Sequence, residues 1–530
     1  MRYMAAVLTG VLLGIFVIGS AVAAMDIVIA IGGDVQGWDP STAIESEATE
    51  IGWNCYDRLL QYGTILAKDS SVGIAMADLE RIEGQLAESW EVSEDGTVVT
   101  MNLRQGVVFK SGNTFTAEDV RWSFERKWNI SGGKAWVLRK FGLEGPDSTF
   151  WIEVLDDYTV RFKLNAPNSM FLPGLANLPS MSIVDSGLLK QHATDEDVYA
   201  QTFLNTDVAP TGPYYVESYT TGSEIVLAAY EGYWGGKPAN DRVIYKVVPT
   251  EANRVLLLKN GDVDFAYRLS PEIVSSQLDG APGVNVVSVA TPATVYFGLN
   301  NTRTPLDNVL VREAILYAIP YDDIIQNVLF GHATFPRSPL APGLQYRKEI
   351  IPYHYDPVLA RDLLAQAGYP EGFEMTLRYR IDISEYESIA LYMRDALAEI
   401  GITLVLDKIG AAEYAQIRGS RDYDSALVYW IPYVASPIYD LGYNWADPQG
   451  CCSTAQYDNI EVKALFEQAK VETDPVKLEG LVNAIQKVVV DDAPLGWLYN
   501  PNWLVNMRDN ISGYVFTTNL QTRFNTLRKT

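Results

Sequence analysis

The sequence predicts an α/β protein that is divided into two or three lobes. Strand-like and helix-like patterns alternate along most of the chain, and this alternation is typical of α/β architecture. The chain has 530 residues, which exceeds the size at which one hydrophobic core keeps growing. Two pairs of extended runs, at residues 90–103 and 150–164, also predict a small antiparallel lobe.

The first of these pairs opens the most informative stretch of the chain. Extended runs flank the dipeptide Asp95-Gly96, and an Asp-Gly step between such runs predicts a β-hairpin. Thr116 stands three residues before Asp119, a spacing that is typical of a capping box at the start of a helix. The stretch therefore predicts strand, turn, strand, loop and capped helix in that order.

Helix starts are marked clearly in the second half of the chain. The dipeptides Asp356-Pro357 and Asp474-Pro475 each place an N-cap residue before a proline at the first helical position. We predict a strand at residues 374–380, between these two helices. This part of the chain therefore predicts an α/β lobe. The apolar stripes of its helices are interpreted as core, so we expect no cofactor.

The chain has three cysteines. Cys55 falls in a helix predicted at residues 53–60, and we interpret it as a buried apolar residue. The vicinal pair Cys451 and Cys452 forms either a strained disulfide or two unpaired thiols, and the sequence favours neither. No histidine lies close to these cysteines in the sequence, so they do not predict a metal site.

The charge of the chain excludes one class of partner. Its 41 Lys and Arg residues and 66 Asp and Glu residues give a net charge of −25. Such a surface repels phosphate backbones and anionic membranes. We therefore expect no nucleic acid partner.

Residues 1–24 have the pattern of a secretory signal. Arg2 gives a positively charged start, residues 4–18 form an apolar run, and the Ala-Val-Ala sequence at residues 21–23 offers a cleavage site. We expect cleavage just after these residues and a periplasmic or otherwise extracytoplasmic protein. No cysteine follows the small residues, so a lipoprotein is not expected. The alternative is an uncleaved membrane anchor, because the apolar segment is almost long enough to span a bilayer.

The stretch at residues 86–126 contains Leu-Ala-Glu-Ser-Trp, then Asp-Gly, then Leu-Arg-Gln-Gly-Val-Val-Phe, then Ala-Glu-Asp-Val-Arg-Trp-Ser. It resembles the signature block of the extracellular solute-binding proteins of the peptide, dipeptide and nickel type (family 5), which serve ABC importers. Shorter matches follow along nearly the whole mature chain, among them Tyr-Asp-Pro at residues 355–357 and Ala-Gly-Tyr-Pro at residues 367–370.

The resemblance implies a fold and a division of the chain. Members of this family have the type II periplasmic-binding-protein fold of cluster C, in which two α/β lobes are joined by two hinge segments and a small lobe is inserted in the first. By analogy, lobe I holds residues 25–51, 176–290 and 494–530. The inserted lobe holds residues 52–175, and lobe II holds residues 291–493.

The same resemblance implies a function without catalysis. The lobes close over a small-molecule ligand, and the closed form is recognised by the permease and ATPase complex of an ABC importer in the membrane. We expect a monomer that binds a peptide or a peptide-like solute and delivers it to the permease. Oligosaccharides, opine-like conjugates and nickel chelates stay open as ligands.

The resemblance also implies candidate ligand residues. In peptide-binding relatives a Trp is followed three residues later by an Asp that binds the ligand's ammonium group, and here Trp430 is followed by Tyr433. A phenol does not replace a full charge in a buried site, so ordinary peptides are put in doubt. Asp440 or Glu45 could supply the carboxylate instead, and Ser46 lies beside Glu45 in a loop expected near the cleft.

A second set of candidates concerns the ligand's own carboxylate. In dipeptide-binding relatives an arginine between a strand and the next long helix binds this group, and Arg378 and Arg380 stand on the predicted strand at residues 374–380. The alternative is that both arginines lie on a solvent-facing strand edge. Tyr296, on a strand predicted at residues 294–300 and expected at a hinge, is a further candidate.

The sequence offers less support for a hydrolase or a nickel site than for a solute receptor. A secreted hydrolase is disfavoured because the chain has no Gly-x-Ser-x-Gly motif and no His-Glu-x-x-His motif. A nickel site is also disfavoured, because His192, His332 and His354 lack metal-ligand spacing. A sensory receptor with the same fold, which passes its closed state to a signalling protein, stays open.

Overall fold

A computed structural model describes residues 25–35, 37–43, 46–66, 73–448, 453–517 and 520–530, and the side chain of Ser46 is outside this description. The strands are β1 (Asp26–Ile31), β2 (Leu60–Leu66), β3 (Ala75–Gly84), β4 (Ala87–Val92), β5 (Val98–Leu103), β6 (Ile152–Asp156), β7 (Thr159–Lys163), β8 (Tyr214–Thr220), β9 (Glu224–Ala229), β10 (Arg242–Val247), β11 (Phe265–Ala266), β12 (Val284–Ala290), β13 (Thr294–Leu299), β14 (Ala333–Thr334), β15 (Glu374–Arg380), β16 (Thr403–Ile409), β17 (Ser425–Trp430), β18 (Leu495–Arg508), β19 (Ile511–Ser512), β20 (Val515–Phe516) and β21 (Arg528–Lys529).

The helices are α1 (Ser46–Cys55), α2 (Ala117–Asn129), α3 (Ala135–Lys140), α4 (Phe171–Asn177), α5 (Ser186–His192), α6 (Glu251–Asn260), α7 (Pro271–Gln277), α8 (Val309–Tyr317), α9 (Tyr321–Asp323), α10 (Pro357–Gln366), α11 (Ser384–Ala398), α12 (Ala411–Ser420), α13 (Pro437–Leu441), α14 (Ile460–Val471) and α15 (Pro475–Asp491). Two π-helical turns, Ile324–Val328 and Gly442–Ala446, follow α9 and α13.

One large mixed sheet runs through the molecule in the order β16-β15-β17-β13-β18-β11-β1-β10-β9-β8, and β12 and β14 also pair with β18. The parallel strands β15 and β16 need a crossover connection, and helix α11 supplies it. The α/β class that the alternating patterns predict is thus confirmed.

Strand β18 belongs to both halves of this sheet. Its first residues pair with β13, where Gly298 lies opposite Leu495. Its last residues pair with β12, where Val284 lies opposite Arg508. We call β1 and β8–β12 the first half of the sheet, and β13 and β15–β17 the second half. The chain therefore crosses between the halves twice, once between β12 and β13 and once within β18.

Hydrogen bonds join the two crossing segments to each other. Thr291 Oγ1 donates to the carbonyl of Pro501 at 2.6 Å. Asn500 Nδ2 donates to Thr294 Oγ1 at 2.7 Å and to the carbonyl of Ala293 at 2.8 Å. These side chains satisfy backbone groups where the regular ladder changes partner. The crossings are therefore adjacent and mutually supported.

A separate antiparallel sheet has the order β4-β5-β7-β6 and contains both predicted hairpins. Gly96 adopts a φ of 69° in the first turn, a backbone angle that suits glycine. Helix α2 packs on the sheet through Phe124, whose ring lies edge-on to Phe162 at a centroid distance of 5.4 Å. The capping box of Thr116 and Asp119 is present at the start of α2. The predicted order of elements in this stretch is confirmed.

The helix predicted at residues 53–60 is wrong. Helix α1 starts earlier and ends at Cys55, and the chain then leads into β2. The backbone N–H of Asp57 donates to Thr211 Oγ1 at 2.7 Å, and that of Arg58 donates to Gln85 Oε1 at 2.9 Å. Distant side chains thus take the donors that a longer helix would have used. The prediction that Cys55 is buried is confirmed.

Two further findings hold for the described residues only. Within these ranges no helix is both long and apolar enough to cross a bilayer. No group of three His, Cys, Asp or Glu side chains is placed to hold a metal ion in the same ranges. The predicted signal at residues 1–24 and the pair Cys451 and Cys452 lie outside the described residues.

Candidate ligand-binding cleft

A cleft of about 380 Å³ lies beside the two crossing segments of the large sheet. Thr291, Pro501 and Asn502 from these segments form part of its lining. Arg268, just after β11, contributes from the first half of the sheet, and Tyr429 in β17 contributes from the second. A cleft of this size between two parts of a sheet is suited to a small organic ligand.

Aromatic rings form one wall of the cleft. The ring of Trp430 lies nearly parallel to that of Tyr439, with centroids 6.2 Å apart, and Tyr439 contacts Tyr443 at 4.4 Å. Trp136, from α3, meets Tyr443 edge-on at 5.9 Å. Trp503 completes the aromatic lining from β18. Flat apolar faces of this kind pack against apolar side chains or sugar rings of a ligand.

Asp440 lies behind this wall and holds it in place. Its Oδ1 accepts hydrogen bonds from Trp430 Nε1 at 2.6 Å and from Asn444 Nδ2 at 2.9 Å. Its Oδ2 accepts from the backbone N–H of Ala341 at 2.8 Å. Burial raises the pKa of the Asp440 carboxyl to about 6, and these hydrogen bonds oppose the rise. Both oxygens bind protein donors, so Asp440 holds the aromatic wall in position. It is not among the residues that line the cleft in the described structure.

Trp430 and Tyr433 both line the cleft. Trp430 is only 7% exposed, whereas Tyr433 is 43% exposed. The carbonyl of Tyr433 accepts a hydrogen bond of 2.7 Å from Asn177 Nδ2, which fixes the backbone at this position. The phenol thus stands at the position where the resemblance predicts an ammonium-binding Asp.

The two predicted carboxylate-binding arginines are engaged elsewhere. Arg378 Nε lies 3.2 Å from Asp407 Oδ2, and Arg378 Nη1 donates to the carbonyl of Asp422 at 2.9 Å. Arg380 pairs with Asp382 on the following turn. Neither arginine is among the described residues that line the cleft. Both arginines thus form partly exposed ion pairs, on a strand that lies between β16 and β17 and not at an edge of the sheet.

Of the other predicted site residues, the structure places only Tyr296 relative to the cleft. Tyr296 is buried inside the second half of the sheet, edge-on to Trp445 at 6.2 Å, and does not line the cleft. Burial raises the pKa of its phenol well above the usual value. Glu45 lies outside the described residues, and Ser46 is described only as the first residue of α1.

Arg268 is a cleft residue that the sequence reasoning missed. Its Nε donates to Glu47 Oε1 at 2.8 Å, and its guanidinium lies over the ring of Trp503 at 5.3 Å. Burial lowers the pKa of Arg268, but the charge and hydrogen bond of Glu47 outweigh this and raise it. Its backbone has a φ of 54°, in the left-handed region, and its carbonyl accepts a hydrogen bond of 3.1 Å from Arg254 Nη2. Strained backbone of this kind often occurs at functional positions.

Lys134 is the second missed residue. It directly precedes α3 in the sequence, and it lines the cleft together with Trp136 and Val137. Burial lowers the pKa of its ammonium group.

One signal in the sequence could have identified Arg268. This residue lies just after a strand of the sheet, and ligands of α/β proteins bind beyond strand ends. The sequence around Lys134 offers no comparable signal.

The chain is similar to proteins of one family over most of its length. Residues 81–450 match the model described as bacterial extracellular solute-binding proteins, family 5 Middle. The probable D,D-dipeptide-binding periplasmic protein DdpA of Escherichia coli (strain K12) is 31% identical over 503 residues, which cover 94% of this chain and 93% of DdpA. The glutathione-binding protein GsiB of Salmonella paratyphi A is 28% identical over 488 residues, which cover 89% of this chain and 88% of GsiB.

A solved structure is also similar. It is the ABC transporter-associated periplasmic binding protein DppA from Helicobacter pylori in complex with the peptide STSA. Its TM-score is 0.78 at 28% sequence identity, and the match covers 96% of this chain and 98% of that chain.

Proposed function

The chain belongs to family 5 of the bacterial extracellular solute-binding proteins, and we propose that it captures a peptide-like solute in the aromatic cleft and delivers it to an ABC importer. The family membership and the type II periplasmic-binding-protein fold expected from the signature block are confirmed. The family is one of solute receptors, and no step of catalysis is needed for this role. The observation that carries the proposal is the wall of Trp430, Tyr439 and Tyr443 beside the crossing segments.

The lobe division inferred from the resemblance is retained as part of this proposal. Lobe I holds residues 25–51, 176–290 and 494–530, the inserted lobe residues 52–175, and lobe II residues 291–493. The crossing between β12 and β13 supports the boundary at residue 291. The second crossing lies within β18, a few residues after the boundary that the resemblance puts at residue 494, because residues 495–499 still pair with β13.

Closure of these lobes is the proposed means of capture. On this division, Arg268 lies in lobe I, Lys134 in the inserted lobe and Tyr429 in lobe II. A ligand in the cleft would therefore contact all three parts and stabilise the arrangement in which they are close together. The closed form is the one that we expect the permease to recognise.

The proposed ligand class rests on the similar proteins. One is named for D,D-dipeptides, one for glutathione, and one was solved with a tetrapeptide. These are peptides or peptide derivatives, so we assign a peptide-like solute to this chain. We also propose that residues 1–24 direct export to the periplasm, that the mature protein begins near Met25, and that it acts as a monomer.

A ligand panel with the mature protein tests the proposal. A ligand that binds only the folded state, at about 100 times its dissociation constant, adds roughly 2.7 kcal/mol to the free energy of unfolding. We expect thermal shifts with di- to pentapeptides or their derivatives, and none with oligosaccharides or nickel chelates. A shift with oligosaccharides alone would contradict the ligand class. Chromatography of the incubated ligand checks that it is recovered unchanged, since turnover would indicate a hydrolase.

A further inference from the structure

We propose that the cleft selects solutes through their carboxylates, which Lys134 and Arg268 bind, and that it does not require a free amino group. The expected ligand is an anionic peptide-like solute, such as an N-blocked or amide-linked acidic peptide. This inference rests on the proposed function, because it assumes that the aromatic cleft is the solute site.

The charge of the cleft is opposite to that of the chain as a whole. Lys134 and Arg268 line it, and none of the described residues in its lining is an Asp or Glu. Elsewhere the chain is strongly acidic, with a net charge of −25. A positively lined recess with apolar walls attracts and holds an anion better than an exposed cation does, because less water screens the charges.

Lys134 has an ammonium group that the rest of the protein leaves available. Among the described residues no carboxylate lies within ion-pair distance of its Nζ, and no hydrogen bond from Nζ to a described residue is present. Asp39, the acid whose charge acts on Lys134, already binds Arg126 through both of its oxygens. A half-buried ammonium without a partner is costly, and a ligand carboxylate would relieve that cost.

Arg268 is only partly satisfied by the protein. Its Nε binds Glu47, but its two Nη groups have no hydrogen-bond partner among the described residues. Its side chain lines the cleft and is 42% exposed, while Glu47 is 20% exposed. Terminal guanidinium nitrogens bind a carboxylate with two parallel hydrogen bonds, a geometry that a lysine lacks. Together, Lys134, Arg268 and Glu47 leave a net charge of +1 beside the cleft.

A ligand ammonium group finds no equivalent partner among the described residues. Both oxygens of Asp440 bind protein donors behind the wall. Glu47 is already paired with Arg268. Tyr433 offers a phenol at the position where relatives are expected to have an Asp. The charge of a buried ammonium group would therefore stay uncompensated. An N-acyl group carries no charge and needs no such partner.

The test uses one peptide backbone in four end states. We would measure affinities by calorimetry for Ala-Glu and N-acetyl-Ala-Glu. The other two peptides are Ala-Gln amide and N-acetyl-Ala-Gln amide, in which both carboxylates are replaced by amides. We expect acetylation not to raise the dissociation constant by more than threefold, and removal of the carboxylates to raise it at least tenfold. Equal binding of the amides, or loss of binding on acetylation, would overturn the proposal.

Matched variants assign the effect to the two cations. Lys134→Met and Arg268→Gln should each weaken binding of N-acetyl-Ala-Glu at least fivefold and leave binding of its amide unchanged. Lys348→Met and Arg394→Gln, which alter exposed ion pairs with Glu479 and Asp395, are the controls and should change neither. Loss of binding for acid and amide alike would indicate a merely structural role and count against the proposal. Glu45→Gln adds a check. If this variant binds Ala-Glu more weakly than the wild type but binds N-acetyl-Ala-Glu equally well, Glu45 is an ammonium site and the proposal that no amino group is required is wrong.

The two proposals fail in different ways. If peptides in every end state fail and an opine-like dicarboxylate binds, the ligand class is wrong but carboxylate selection stands. If peptides bind with no preference for the acidic forms, the receptor function stands and the inference is wrong. If only a neutral oligosaccharide binds, both are wrong.

Discussion

The carboxylate of Asp440 accepts a hydrogen bond of 2.6 Å from the indole Nε1 of Trp430, and this bond fixes the ring at the centre of the cleft wall. Asp440 itself has no exposed surface. Its second oxygen binds the backbone N–H of Ala341, so one buried side chain links the wall to a loop far away in the sequence. Asp440, which the sequence offered as a possible carboxylate for the ligand, thus holds the wall in position in the described structure.

Asp440→Ala should destabilise the fold. It leaves the N–H groups of Trp430 and Ala341 buried without acceptors, which predicts a loss of about 2–4 kcal/mol in the free energy of unfolding. Urea denaturation at neutral pH measures this loss. Asp395→Ala, at an exposed ion pair, is the control and should stay within about 0.5 kcal/mol of the wild type. A loss below about 1 kcal/mol for Asp440→Ala would contradict the assigned role.

Truncation of the aromatic wall should separate binding from stability. Trp430→Ala should weaken ligand binding and also cost about 3–5 kcal/mol, because the ring is almost fully buried. Tyr433→Ala removes an exposed ring, so it should weaken binding at least threefold with little change in stability. Calorimetry and urea denaturation on both variants distinguish the effects. Unchanged affinity in both would mean that the solute binds elsewhere.

Tyr433→Asp should strengthen the binding of peptides with a free amino group. The substitution places a carboxylate in the cleft, where an ammonium group is otherwise uncompensated. Tyr433→Asn is the matched control, because it has the same shape without the charge. We expect the dissociation constant for Ala-Ala-Ala to fall at least tenfold in the Asp variant relative to the Asn variant. No difference between the two would show that position 433 does not contact the ligand's amino end.

Buried acids should make the protein more stable in mild acid than at neutral pH. Burial raises the pKa of Glu50 from 4.5 to about 7, so its contribution to stability is full below the unfolded value and is lost as the pH rises through 7. This pKa shift corresponds to a change of about 3 kcal/mol in the free energy of unfolding. Asp57 and Asp440, with pKa values raised to about 6 by burial, act in the same direction. Urea midpoints measured from pH 5 to pH 7 should fall, and less steeply in Glu50→Gln.

Lys127 should have the opposite effect at higher pH. Burial lowers its pKa from 10.5 to about 7, and its Nζ donates to the carbonyls of Ser123 and Ser182 at 3.2 Å each. The unfolded chain binds a proton that the folded chain lacks above pH 7, so stability should rise by a few kcal/mol between about pH 7 and pH 9.5. Lys127→Met should abolish this rise. A wild-type curve that keeps falling above pH 8 would refute the assignment.

Local signals predicted local structure well. Asp356 accepts the N–H groups of Val358 and Leu359, and Asp474 caps α15 in the same way, as their spacing before proline indicates. Strand β15 has the bounds that were predicted from residues 374–380. These features depend on a few adjacent residues, so the sequence contains all the information that is needed. Helix α1 was misplaced because Thr211 and Gln85, far away in the chain, decide where it ends.

The site was less predictable because it depends on contacts between distant segments. Resemblance identified Trp430 and Tyr433, which line the cleft, but gave no reason to select Lys134 or Arg268. The binding roles predicted for Glu45 and Ser46 stay predictions. Arg378 has the residue type that binds carboxylates, yet Asp407 on the neighbouring strand neutralises it. Whether a charged side chain is available to a ligand depends on which partner the fold places beside it.

Strand β18 also limits how proteins of this kind can be recombined. Leu495 and Trp497 belong to the core of one half of the sheet, whereas Val505 and Met507 belong to the core of the other. A chimera that takes its two sheet halves from different parents must therefore divide a single strand, and either choice of junction leaves one core with foreign side chains. Exchange of ligand specificity between relatives should proceed more readily through the short segments around Lys134, Arg268 and Tyr433 than through whole lobes.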